Sequence, residues 1–298
     1  MSTARELART LGGRKTGVGY LARCPAHDDH NPSLSFRDGE WGVLLLKCFA
    51  GCDRRDVLAA LRRRGLLDER PATPTRKESH AVTLPQSERA RSSTALSLWH
   101  ESVPIRDTLA WRYLARRGID VSELPTGISD ALRFHPSCPF GKETRQRCMV
   151  GLFTDAITAQ PRAIHRTALT SSGDKLDRRM LGPAAGCVIR LWPDEDVHAG
   201  LVIGEGIETV LAAATKIAHR GTTLRPAWAA SSASMLKSFP VLPVIEALTI
   251  LVDNDADDER GPQAAAECAR RWSAAGCEVI RLIPCQAGGD FNDVVGAP

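Results

Sequence analysis

Two apolar runs that each end in carboxylates restrict the fold of this chain more than any other feature. The first, Leu201-Val202-Ile203-Gly204, leads into Glu205 and Gly206; the second, Leu248-Thr249-Ile250-Leu251-Val252, leads into Asp253, Asn254 and Asp255. A short apolar run bounded by glycine and acid predicts a strand buried on both faces, the mark of a parallel sheet. After Glu205, the residues Ile207, Val210, Leu211, Ala214, Ile217 and Ala218 recur at helical spacing. After Asp255 a polar loop leads to Pro262, the expected first residue of a helix that stops at Gly276. Residues 277–283 form the next expected strand. This alternation predicts a doubly wound α/β sheet. Ligands bind outside the carboxyl ends of the strands in such sheets. Glu205, Asp253 and Asp255 would there form a hard-oxygen site suited to Mg²⁺ or Mn²⁺, and hence to phosphate chemistry.

A second constellation lies near the N-terminus. Cys24-Pro25-Ala26-His27 is a C-x2-H pair, and Cys48-Phe49-Ala50-Gly51-Cys52 is a C-x3-C pair. Two short pairs of soft ligands at this spacing suit a closed, tetrahedral Cys3His zinc site with a structural role. His30 competes with His27 for the fourth position, and the two-residue gap from Cys24 favours His27. Ser33-Leu34-Ser35-Phe36 and Val43-Leu44-Leu45-Leu46 are candidate strands between the pairs. Metal binding would stabilise a unit too small to rely on its core. Nine cysteines are an odd number, and outside these pairs they show no comparable spacing.

The 298 residues divide by composition into residues 1–68, a linker at 69–95 holding Pro71, Pro74 and Pro85, a mixed α+β region at 96–195, and the α/β region at 196–298. In the third of these, helix is expected from Trp99 to Gly118 with a break near Pro104. Strands are expected at 148–152 and 163–169, then a hairpin turn at Ser171-Ser172-Gly173-Asp174. Formal charge is +4 for residues 1–70, +5 for 71–195 and −5 for 196–298. Basic parts beside an acidic part fit a polyanion-binding surface that feeds a metal site. No apolar run approaches a membrane span, and the first residues lack the apolar core of a signal peptide, so a cytoplasmic location without membrane contact is expected. Gly12-Gly13-Arg14-Lys15-Thr16-Gly17 lacks the spacing of a phosphate-binding P-loop.

The zinc pairs, with Asn31-Pro32-Ser33-Leu34-Ser35 between them, resemble the CHC2-type zinc ribbon of bacterial and phage DNA primases. The usual second pair there is C-x2-C, so the extra residue is a departure. Glu205-Gly206 and Asp253-Asn254-Asp255 resemble the paired acidic motifs of the Toprim domain, which primases share with topoisomerases and some nucleases. Gly288-Gly289-Asp290-Phe291-Asn292-Asp293 resembles a late acidic motif of primases from phages and mobile elements. The order of zinc ribbon, basic middle and Toprim resembles the primase-type proteins of prophages and plasmids.

The resemblance implies a three-part architecture: a zinc ribbon that engages template, a mixed α+β basic middle domain, and a C-terminal Toprim-like sheet. It implies a DNA primase-like nucleotidyltransferase that makes short RNA primers from ribonucleoside triphosphates on single-stranded DNA. Zinc would be structural, and Mg²⁺ or Mn²⁺ catalytic. Glu205, Asp253 and Asp255 would be the catalytic acids, with Asp257 adding to the magnesium shell. Asp258, Asp290 and Asp293 extend the acidic cluster. Arg166, Lys175, Arg178 and Arg179 would contact nucleotide or DNA, arginine being shaped for bidentate phosphate contact. A separate replicative helicase is implied, since no helicase motif is present. Cellular primases carry an acid four residues after the Glu, where Thr209 stands; Glu208 is one residue early and is expected to be an exposed first-turn acid. A Toprim nuclease and a non-catalytic nucleic-acid-binding module are the alternatives.

Overall fold

The computed structural model describes residues 4–16, 19–38, 44–52, 54–67, 85–219, 221–242, 245–254, 259–284 and 291. The chain divides into two compact units, Met1–Glu78 with Gly276–Glu278, and Ser79–Ala275 with Val279–Pro298.

In the first unit, helix α1 (Ala4–Thr10) precedes four short strands, β1 (Arg14–Thr16), β2 (Gly19–Ala22), β3 (Leu34–Asp38) and β4 (Leu44–Cys48), and helix α2 (Arg54–Arg63) follows. The strands form an antiparallel sheet in chain order. Its core is small: Leu7, Ala22, Leu34, Phe36, Val57 and Leu61 are buried together with Cys24 and Cys48. Both expected strands between the cysteine pairs are present.

The second unit opens with helix α3 (Gln86–Glu101), which begins inside the segment of linker composition. Strand β5 (Val103–Pro104) and helix α4 (Leu109–Arg116) follow, so the expected break near Pro104 separates two helices. Thr108 caps α4 by accepting from the Trp111 N–H. Four longer strands come next: β6 (Leu132–Pro139), β7 (Arg145–Asp155), β8 (Pro161–Leu169) and β9 (Lys175–Leu181), then β10 (Cys187–Val188). They form an antiparallel sheet in the order β5-β6-β7-β8-β9, with β10 on β7. The expected hairpin turn lies between β8 and β9.

The remainder alternates strand and helix: β11 (Gly200–Gly204), α5 (Ile207–Lys216), a small hairpin of β12 (Ala218–His219) and β13 (Thr222–Thr223), β14 (Ala227–Ala229), α6 (Ala233–Ser238), β15 (Ala247–Leu251), α7 (Arg260–Ala274) and β16 (Glu278–Leu282). Helix α7 starts two residues before Pro262, which therefore sits inside its first turn, where its missing N–H is harmless. Gly276 takes the left-handed conformation that ends the helix, at φ 84°.

The sheet order is β14-β11-β15-β16, with β14 and β15 both parallel to β11. The chain leaves β11 toward one side and then crosses back to β15 on the other. Right-handed crossovers in opposite directions put their helices on opposite faces, and α6 and α7 accordingly pack together, with Phe239 stacked on Trp272 at 5.5 Å. The order reverses between β11 and β15, the topological switch point of an open α/β sheet.

One apolar core spans both sheets of this unit: Ile105, Tyr113, Leu114, Met149 and Phe153 pack with Val202, Val210, Leu211 and Leu251. A backbone bridge between Ile189 and Ala229 and the Trp228 indole N–H on the Trp192 carbonyl, at 2.9 Å, add polar ties. Among the described residues, no helix is long and apolar enough to cross a membrane.

Candidate functional site

The N-terminal cluster is built by the turn after β2 and the turn after β4. Cys24, His27, Cys48 and Cys52 bring one ligand atom each to within 4.8 Å of one another. Cys24 and Cys48 are buried; His27 and Cys52 are half-buried. Three sulfurs and an imidazole nitrogen at these separations fit the tetrahedral shell of Zn²⁺, with metal–ligand bonds of about 2.0–2.3 Å. His27 turns Nδ1 to the sulfurs, 3.0 Å from Cys52 Sγ and 4.0 Å from Cys48 Sγ, and its Nε2 lies 3.6 Å from Asp29 Oδ1. A carboxylate behind a ligating histidine fixes the ring and raises its basicity. Burial works against ionising Cys48, but the Ser33 hydroxyl, the Cys52 and Ala50 N–H groups and Cys24 bring its thiol down to about 6. His30 is exposed and lies 3.5 Å from Asp28, away from the cluster.

The second site lies at the switch point. Glu205 directly follows β11, and Asp253 lies two residues past β15. Because Gly204 pairs with Leu251, the two acids leave adjoining strand ends on the same edge. Both are half-buried. The Glu205 carbonyl accepts the Ser231 N–H at 2.7 Å, tying it to the end of β14. Its carboxylate lies beside the first turn of α7: a β-carbon on Gly261 would stand 3.9 Å from Glu205 Oε2. Asn254 donates to the Pro284 carbonyl at 3.0 Å, which anchors the turn carrying Asp253 to the end of β16. Two carboxylates at one sheet edge are hard-oxygen donors of the type Mg²⁺ takes. Asp255, Asp257, Asp258, Asp290 and Asp293 lie outside the described residues.

Ser231 has a left-handed φ of 65° and is buried. For a non-glycine residue this is a strained conformation of a kind that clusters at functional sites. Nothing in the apolar pattern of β14 signals it.

The four basic candidates divide between the two faces of the antiparallel sheet. The register pairs Arg166 with Arg179 and Thr167 with Arg178. Arg166 is buried and its guanidinium donates to the Pro139 and Met180 carbonyls. Arg179 donates to Asp177 and, at 2.8 Å, to the Phe140 carbonyl, and both guanidinium groups lie over the Phe140 ring. Arg178 lies on the opposite face with His165. Lys175 reaches Glu208, with Nζ 3.2 Å from Oε1.

Glu208 corrects the expectation of an exposed helix acid: it is only 7% exposed. Besides Lys175, its Oε1 accepts the Tyr113 hydroxyl at 2.6 Å. Burial pushes its pKa up, but Lys175, the Tyr113 hydroxyl, its own N–H and His165 outweigh that and leave it below the usual carboxylate range. His165 is buried edge-on to Phe153, and burial lowers its pKa to about 4, against the pull of Glu208. It is therefore neutral at pH 7. Tyr113 and Glu208 are far apart in sequence, so spacing could not pair them.

Several solved structures resemble the chain at low identity. Among them are a DNA primase domain from Pseudomonas aeruginosa (15% identity, 68% of this chain and 74% of that one, TM-score 0.43), the E. coli primase catalytic core (13%, 70% and 75%, 0.45), and a DnaG primase catalytic domain bound to ssDNA (14%, 70% and 76%, 0.45). No curated protein sequence matches the chain. Residues 89–191 match a family model described as a domain of unknown function, DUF7146. Residues 200–297, which hold β11, the switch point and both acids, match the model of the Toprim domain.

Proposed function

We propose that the chain is a DNA primase that joins ribonucleoside triphosphates into short RNA primers on single-stranded DNA. One observation carries the reading. A Cys3His cluster and a Toprim-matching sheet, with Glu205 and Asp253 at adjoining strand ends of its switch point, occur in the same chain. The zinc-binding unit engages template. Glu205 and Asp253, with Asp255 and Asp257, hold Mg²⁺ or Mn²⁺. An ion bound there supplies neutralisation of the charge that builds on the triphosphate during phosphoryl transfer. The protein's own share is positioning: the acids fix the reacting end at the sheet edge, while Lys175 and Arg178 supply positive charge to the polyphosphate or template backbone. A separate helicase opens the duplex.

The test is primer synthesis on single-stranded templates with all four ribonucleotides and Mg²⁺ or Mn²⁺. Wild type is expected to give short oligoribonucleotides, and Asp253→Ala none. Cleavage of DNA in the absence of nucleotides would instead support a Toprim nuclease. Binding of DNA with no turnover at all would support a non-catalytic module.

A further inference from the structure

Glu208 has no role in the function proposed above, yet its surroundings are elaborate. Three elements converge on it. Helix α5 supplies the carboxylate three residues past Glu205, α4 supplies the Tyr113 hydroxyl, and the start of β9 supplies the Lys175 ammonium. A tie between α4 and α5 needed only for stability is already provided by apolar contacts, since Tyr113, Leu114, Ile207, Val210 and Leu211 share the same core. Burying an ionised carboxylate is a costly way to strengthen that tie, because its loss of hydration offsets much of the Coulombic gain. The charge acts on its one exposed partner among the described residues, Lys175. The Lys175 side chain is 39% exposed. An ammonium has three donors; Glu208 accepts one, and the exposed end keeps the others for a ligand.

The turn before Lys175 is fixed from the same helix. Arg116, one turn beyond Tyr113 on α4, donates to the Ser172 carbonyl and to Asp174 at 3.0 Å. Asp174 also accepts from Ser172 at 2.7 Å, and the Thr170 N–H donates to its carbonyl at 2.8 Å. Helix α4 thus braces both the backbone that carries Lys175 and the carboxylate that holds its tip.

We propose that Glu208 is a positioning residue. With Tyr113 it holds the Lys175 ammonium at the N-terminal turn of α5, the turn that directly follows Glu205, so that it meets the polyphosphate tail of a nucleoside triphosphate bound at the acidic strand ends. This rests on the nucleotide-polymerising reading of the site. A lysine held in place loses less side-chain freedom on binding an anion, so the effect falls on ground-state binding.

The experiment titrates the full chain with magnesium inorganic triphosphate, followed calorimetrically, and measures KM and kcat for nucleotides in primer synthesis. Glu208→Gln keeps the shape and an acceptor for Tyr113 but removes the charge. It is expected to weaken triphosphate binding and raise KM by about tenfold, with kcat within about twofold of wild type. Lys175→Ala is expected to do the same, and the double variant to bind no more weakly than Lys175→Ala alone, since Glu208 acts through Lys175. If Glu208→Gln fails to fold, Glu208→Asp keeps the charge one carbon farther back and is expected to give an intermediate loss. Triphosphate binding unchanged in these variants, or an equal further loss from Glu208→Gln in the Lys175→Ala background, overturns the proposal. So does a wild type that binds no triphosphate. A wild type that binds triphosphate with these variant effects but makes no primer overturns the polymerase reading and upholds the role of Glu208.

Discussion

At Asp29 a single carboxylate oxygen takes three donors: the Cys24 N–H at 2.6 Å, the Ser33 N–H at 3.2 Å and the Ser33 hydroxyl at 2.6 Å. These bonds, led by the Cys24 N–H, bring its pKa down to about 2. Its other oxygen faces His27, so one residue ties down both the turn after Cys24 and the His27 ring. Asp29→Ala is expected to weaken zinc binding about 10- to 100-fold, read by competition with a chromogenic chelator. Cys48→Ser is expected to abolish it, with bound metal falling from about one zinc per chain in elemental analysis. The grouping of Cys24, His27, Cys48 and Cys52 was legible in the sequence because paired spacing is a local property. Asp29 was not, because its role depends on which way a turn folds.

His165 belongs to the same scale. Its folded-state pKa of about 4 lies below the ordinary 6.5, so between those values the unfolded chain binds the proton and the native chain does not. Stability is therefore full above pH 6.5 and falls as pH drops toward 4, by about 3 kcal/mol in all. Burial is the main cause; Glu208 on α5 opposes it, while Arg178 and Lys175 on β9 and Arg166 on β8 add to it. Urea midpoints at pH 7.5 and 5 should diverge for wild type and converge for His165→Gln. No spacing in the sequence marks His165, since its burial depends on tertiary packing around β8.

Among the elements, β11 shows how a strand end positions chemistry. Gly204 closes it, and a β-carbon there would stand 2.8 Å from Val210 Cγ2 and 3.2 Å from Leu251 Cβ. Helix α5 thus lies directly on the strand backbone, which sets where Glu205 emerges. Gly204→Ala is expected to cost about 1–3 kcal/mol of stability through overpacking, measured by thermal unfolding. The two strands ending in Glu205 and Asp253 were predictable because unbroken apolar runs have few other uses. The division of Arg166 and Arg179 from Lys175 and Arg178 was not, because facing follows from strand register, and one residue of slip reverses every side chain. Helix α3 was hidden in part by its surface. Of its 16 residues only Ser92, Ala95, Leu98 and Trp99 are buried, and its first ten read as linker.

For the whole molecule, the order of a Cys3His cluster, a basic antiparallel sheet and a Toprim-matching sheet is what argues for primer synthesis; none of the three does so alone. The order of motifs was legible in the sequence; that residues 96–195 and 196–298 share one apolar core was not. Composition marks linkers, and it carries no signal where two sheets are joined by apolar packing. The most direct test of the central claim is synthesis of labelled oligoribonucleotides on single-stranded DNA by the full chain with Mg²⁺ or Mn²⁺. The account predicts short products from wild type, lost on chelation of the metal and in Asp253→Ala. No product from folded, zinc-loaded wild type across varied templates, or undiminished product from Asp253→Ala, would contradict it.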